Sequence, residues 1–213
     1  MERKLIVFDV DGTLLDTQIG SFKEIGILVG KEKEVKAHDE EYQKRKHLGP
    51  WGLEQLAEIF KGLNESKIKE AAEKIVDSMI MNGAQETIVE LKKRGYLIVS
   101  YSSSPIWIME ILKRKFGFSD VCGNIIEVIN GKITGRLIEK VDRYSKTERL
   151  RNFQEKNSIK KENTFVVGDS VTDLPMAELG TFIAFNADKQ EVREKAEHII
   201  DKKDLREILK FIN

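Results

Sequence analysis

Apolar residues follow two rhythms along this chain. Short unbroken runs occur at Leu5 to Phe8, Tyr96 to Tyr101, Thr164 to Val167 and residues 181–185, with a shorter one at 198–200. Runs of that length, rich in β-branched and aromatic residues, read as strands buried on both faces. Elsewhere the apolar positions recur at helical spacing. Ile19, Phe22, Ile25 and Val29 form one stripe, and Leu53, Leu56, Ala57, Phe60 and Leu63 a second. Ile68, Ala71, Ile75, Val76 and Met79 form a third. Asp16 and Thr17 offer capping side chains to the first of these helices. Lys31 to His47 is so charged that its helix must be largely solvated, and Gly49-Pro50-Trp51-Gly52 interrupts the run, which Asn82-Gly83 ends. Further helices are predicted over 84–94, 106–116, 145–156, 172–179, 189–196 and 203–212. Two β-runs, 125–129 and 132–137, flank Asn130-Gly131 and predict a hairpin.

Alternation of strands and helices on both sides of a helical block predicts an α/β fold, a doubly wound parallel sheet with a Rossmann-like core. That core takes residues 1–16 and 84–213, and residues 17–83 form a helical cap inserted after the first strand. The 213 residues suffice for one core domain with such an insertion. Charge adds an exclusion: 36 basic and 36 acidic residues cancel, so no overall field recruits nucleic acid or an anionic membrane. Any attraction for an anionic substrate must be built locally. The apolar run at the N-terminus is far too short for a signal peptide or a membrane span. A lone cysteine, Cys122, excludes an internal disulfide and fits a reducing cytoplasm. His38, His47 and His198 are scattered without metal-ligand spacing and are read as surface or capping residues.

Candidate chemistry gathers where strands end. Asp9 and Asp11 close the first strand and precede Gly12-Thr13. Two anions at a strand tip call for a cation, and a divalent metal is the natural one. Gly12 signals a sharp turn that frees Asp11 to swing away from Asp9; a plain Asp-Gly turn is the alternative. Ser102 and Ser103 follow the second strand and precede a helix with Pro105 at its first position, an arrangement that presents N–H groups and a hydroxyl to an anion or simply caps the helix. Lys146 is one basic residue among many. Gly168-Asp169-Ser170-Val171-Thr172-Asp173 places two carboxylates four apart at another strand–helix junction, fit for capping or for a hard cation such as Mg²⁺.

In that order these residues resemble the four motifs of the haloacid dehalogenase superfamily. The inserted helical block, the hairpin at Asn130-Gly131 and the closing Lys203-Asp204-Leu205-Arg206-Glu207-Ile208-Leu209 resemble its phosphoserine phosphatase-like branch. The resemblance implies a phosphatase acting on a small phosphorylated metabolite. Asp9 would be the nucleophile that forms an aspartyl-phosphate, and Asp11 the general acid and base. Ser102, Ser103 and Lys146 would hold the phosphoryl oxygens. Mg²⁺ would be bound by Asp9, the Asp11 carbonyl and Asp169, with Asp173 in support. In phosphoserine phosphatases a glutamate after the first motif grips the substrate ammonium and a cap arginine its carboxylate. Here an ungapped reading finds Gln18 and Leu56 at those places, with Arg45 or Lys46 as possible substitutes. Gln18 and Trp51 are the substrate-side candidates of the cap. Trp107, in the first turn after Ser102, is read as core packing. Phosphoserine hydrolysis itself, phosphotransfer to another acceptor, and metabolite binding without catalysis are the alternative readings.

Overall fold

A computed structural model describes residues 2–45, 47, 48 and 51–212. In chain order it comprises β1 (Lys4–Phe8), α1 (Ser21–Leu28), α2 (Glu32–Arg45), α3 (Leu53–Ile59), α4 (Glu65–Met79) and α5 (Ala84–Lys93). Then come β2 (Tyr96–Pro105), α6 (Ile106–Phe116), β3 (Asp120–Ile129), β4 (Lys132–Glu139) and α7 (Arg143–Asn157). The chain continues through β5 (Thr164–Gly168), α8 (Leu174–Ala177), β6 (Thr181–Phe185), α9 (Gln190–Glu194) and β7 (His198–Ile200), with a closing 3₁₀ stretch at Leu205–Lys210.

The seven strands form one sheet in the order β4-β3-β2-β1-β5-β6-β7, parallel throughout except for the β3–β4 hairpin. This is the doubly wound α/β architecture that the alternation of elements predicts. β1 lies at its centre, and its side chains alternate between two cores. Ile6 and Phe8 pack with α5, α6 and the inserted helices, whereas Leu5 and Val7 pack with Leu150 of α7, Met176 and Val192. A strand buried on both faces needs apolar residues at every position, which is why these runs lack polar alternation.

Several boundaries differ from the expectation, each for a local reason. β3 begins at Asp120, because its first half pairs parallel to β2 (Tyr101 opposite Cys122) before its second half turns into the hairpin. The helix expected over 172–179 shortens to α8, since Asp173 turns its carboxylate to Ser170 and Lys146 rather than capping a longer helix. The last helix is 3₁₀, started by Asp204, whose side chain accepts from the Arg206 amide. Asp16 and Thr17 do not cap α1, which starts behind Gly20; they bond Lys203 and Asp11 instead. α2 buries only Val35 and His38, as its charge dictates. Trp107 is core, with Nε1 donating to Glu65 at 3.1 Å. Gly49 and Pro50 of the expected break lie outside the described residues. No helix among the described residues is long and apolar enough to cross a membrane.

The inserted helices are tied to the sheet in two places. Their entry and exit strands pair: the Asp16 amide donates to Met79 O at 2.7 Å and the Met81 amide to Leu14 O at 2.9 Å. Farther out, the α3–α4 connection runs beside β4 through an antiparallel bridge, Asn64 opposite Lys132. Gly62 N donates to Ile133 O (2.8 Å), Ile133 N to Leu63 O (2.9 Å) and Glu65 N to Gly131 O (2.9 Å). These bonds are expected to hold in solution. Hydrogen exchange followed by NMR should find the amides of Gly62, Ile133 and Glu65 exchanging far more slowly than that of Lys203 in an exposed bend; equal rates would show that the pairing does not persist.

Candidate active site

The C-terminal ends of β1 and β5 bring Asp9, Asp169 and Asp173 together, and α7 supplies a lysine to them. Asp142 fixes the start of α7 by accepting from the Tyr144 and Ser145 amides at 2.9 and 3.0 Å. The first turn of that helix then carries Lys146 inward. Its Nζ donates to Asp9 Oδ1 at 2.9 Å and to Asp173 Oδ1 at 2.6 Å, and lies 3.4 Å from Thr172 Oγ1. Lys146 is 1% exposed, Asp9 5% and Asp173 not at all. Burial works against the lysine's charge, yet the two carboxylates outweigh it and raise its pKa. Asp173 is held from the other side by the amide and hydroxyl of Ser170 at 3.1 and 3.2 Å.

A single lysine cannot neutralise three carboxylates. One oxygen from each of Asp9, Asp169 and Asp173 lies within 4.8 Å of the other two. Burial is the main cause that pushes the pKa of both Asp9 and Asp169 upward, and repulsion from their acidic neighbours adds to it. Asp169 Oδ1 is buried and has no hydrogen-bond partner. A buried anionic oxygen without a donor is costly, and an all-oxygen set of this kind suits a hard divalent cation. The residues present therefore fit a metal. The crowding also explains Gly12, whose φ is +83°: a Cβ there would sit 2.4 Å from Asp169 Oδ2.

Asp11 stands apart from this cluster, as the turn at Gly12 allows. Its Oδ1 accepts from Thr17 Oγ1 (3.0 Å) and the Ser21 amide (2.8 Å), and its Oδ2 from Ser21 Oγ (3.0 Å) and Ser104 Oγ (2.8 Å). Ser102 is buried, and its hydroxyl lies 2.9 Å from Ser104 Oγ while accepting from the Ser104 amide at 3.2 Å. It is thus engaged within its own loop, whereas the sequence reading has it pointing outward. Pro105 is the residue before α6, one position earlier than expected. Asn124, fully buried, ties this loop to the start of α7: its amide donates to Ser103 O at 2.6 Å, and its carbonyl accepts from the Val141 amide at 2.9 Å. Ser21, Ser104, Thr172 and Asn124 are supporting residues that the sequence reading passes over; none has a spacing that sets it apart from other polar residues.

Beside the acidic cluster lies a cavity of about 530 Å³, reached by Ser103 and Thr172 from the sheet side and by Lys23, His38, Trp51 and Leu56 from the inserted helices. Trp51 is on that lining. Gln18 is not: it is exposed and outside the described lining, because its neighbours Thr17 and Ser21 take the inward positions on Asp11. Arg45 pairs with Glu41 and lies over the Trp51 ring, 5.8 Å from its centroid. Lys46 lies outside the described residues. His38 is buried rather than at the surface; its Nε2 lies 3.0 Å from Gly52 O and its ring stacks on Trp51.

The Lys146 contacts lead to a stability test. Lys146→Met leaves two buried carboxylates without their cation and is expected to cost about 3–5 kcal/mol in metal-free protein. Chemical denaturation with and without Mg²⁺ checks it, and the ion should recover part of the loss.

Comparison with known proteins agrees with this geometry. A sequence model described as haloacid dehalogenase-like hydrolase matches residues 6–178. The phosphoserine phosphatase of Methanocaldococcus jannaschii is 35% identical over 213 residues, covering 99% of this chain and 98% of that protein. A phosphoserine phosphatase of Archaeoglobus fulgidus is 31% identical over 96% of this chain and 58% of its own length. Among solved structures, one described as a phospho-aspartyl intermediate analogue of phosphoserine phosphatase superimposes with a TM-score of 0.85, at 34% identity and full coverage of both chains. With four motif positions converging at the strand ends and a family match over most of its length, the chain belongs to the haloacid dehalogenase-like hydrolases.

Proposed function

We propose that the protein is a Mg²⁺-dependent phosphomonoesterase that hydrolyses a small phosphorylated metabolite through an aspartyl-phosphate on Asp9. The observation that carries this reading is the buried set Asp9, Asp169 and Asp173 around Lys146, with one oxygen of Asp169 left without a donor. Asp9 attacks phosphorus, the bond to the alcohol oxygen breaks, and the departing oxygen takes a proton from Asp11. Asp11, now a carboxylate, removes a proton from water, whose oxygen attacks phosphorus and releases phosphate while restoring Asp9. Thr17, Ser21 and Ser104 suit both states of Asp11, since a hydroxyl can donate to the carboxylate and accept from the acid.

Lys146 and the Ser102–Ser103 loop would hold the phosphoryl oxygens during both displacements. Asp9, the Asp11 carbonyl and Asp169 would hold Mg²⁺, with Asp173 in support. When bound, the ion offsets repulsion between the nucleophilic carboxylate and the incoming phosphate. Residues 1–16 with 84–213 would act as the catalytic unit and 17–83 as the cap that shapes the cavity. A cytoplasmic location accords with the single, buried Cys122.

Two substitutions separate the roles. Asp9→Asn should reduce phosphate release from p-nitrophenyl phosphate to background with the fold intact by circular dichroism; near-normal turnover would remove Asp9 as nucleophile. Asp11→Asn should slow esters of poor leaving groups by about 10²–10⁴ but p-nitrophenyl phosphate much less. Equal loss for both kinds of ester would argue against proton donation by Asp11. Chelation should abolish activity, and Mg²⁺ should restore it.

A further inference from the structure

We infer that the cavity selects a phosphomonoester whose alcohol is apolar or aromatic; the inference rests on the phosphatase reading above. The wall contributed by the inserted helices is largely aromatic and aliphatic, with Lys23 and Glu54 as its charged members. His38 runs nearly parallel to Trp51 (centroids 5.0 Å apart, 17°) and to Tyr42 (6.5 Å, 8°), so the three rings form one stack, and Leu56 lies on the same lining. Such a surface gains energy by covering apolar area, roughly 25 cal/mol for each Å² removed from water. The volume of about 530 Å³ leaves room for a ring beyond the phosphate.

The charges in the lining are mostly matched within the protein. Glu54 pairs with Lys140 at 2.7 Å, and Asp142 accepts from the Tyr144 and Ser145 amides that open α7. Lys23 is bound to Asp39 and lies 6.0 Å from the Tyr42 ring centroid. Among the described lining residues Arg143 has no acidic ion-pair partner and Asp142 no basic one, and these two opposite charges are adjacent in the chain. The buried polar atom left over, His38 Nδ1, has no partner. Because Nε2 faces the Gly52 carbonyl and must donate to it, Nδ1 is the acceptor of the neutral ring.

A panel of alkyl esters with Mg²⁺ tests the inference: ethyl phosphate, benzyl phosphate, O-phosphoserine and phosphoethanolamine, compared by kcat/KM for phosphate release. Benzyl phosphate should exceed O-phosphoserine and phosphoethanolamine at least tenfold. Trp51→Ala should lower the benzyl-to-ethyl ratio by about tenfold, the loss expected when a large apolar contact is withdrawn. Release led by O-phosphoserine, or a ratio unmoved by Trp51→Ala, overturns this inference and leaves the phosphatase reading standing. Release from none of the esters overturns both.

Discussion

An ammonium group shut inside the protein between two carboxylates is the constraint around which this molecule is arranged. Lys146 reaches Asp9 and Asp173 with almost no contact with water. A buried ion pair of this kind is tolerated only when its remaining hydrogen-bonding capacity is met. Ser170 meets that of Asp173, and the Asp142 cap fixes the turn of α7 from which the lysine projects. Asp169 has no such protein partner for one of its oxygens. Three carboxylates facing one lysine leave the arrangement two positive charges short of balance, the charge of one divalent cation.

How the motifs find one another follows from β1. Asp9 is the residue just past the central strand, so chain direction places it beside the ends of β2 and β5 on either side. Gly12 admits Asp169 from one neighbour while the turn sends Asp11 toward the other, where Ser104 waits. Two carboxylates separated by one residue thereby enter different environments. Asp9 shares its neighbourhood with anions and a lysine, and Asp11 is surrounded by hydroxyl groups and an amide. Chemistry that needs a nucleophile and a proton donor from adjacent positions depends on that divergence.

Much of this was legible in the chain, and the failures have physical causes. Leu5 to Phe8 and residues 181–185 announce strands because burial on both faces leaves no room for polar alternation. The first half of β3 did not announce itself: Asp120-Val121-Cys122-Gly123-Asn124 has neither rhythm, and Gly123 is there because a Cβ would sit 2.7 Å from Ser104 O. Val35, His38 and Tyr42 do carry a signal, falling on one face of a helix at spacings of three and four, but the surrounding charge hid it. Gln18 carries a different lesson. Spacing along the chain does not say which way its side chain turns; only the backbone path decides that Thr17 and Ser21 face Asp11 while Gln18 is exposed.

The α3–α4 connection beside β4 has a bearing on how the molecule behaves in a crowded solution. An open sheet ordinarily leaves a row of unsatisfied amides and carbonyls along each outer strand, a template for sticking to other chains. Here β4 spends part of its outer row on Gly62, Leu63 and Glu65, and the opposite border is a strand of only three residues. The insertion that shapes the cavity thus also shields one flank of the sheet from self-association.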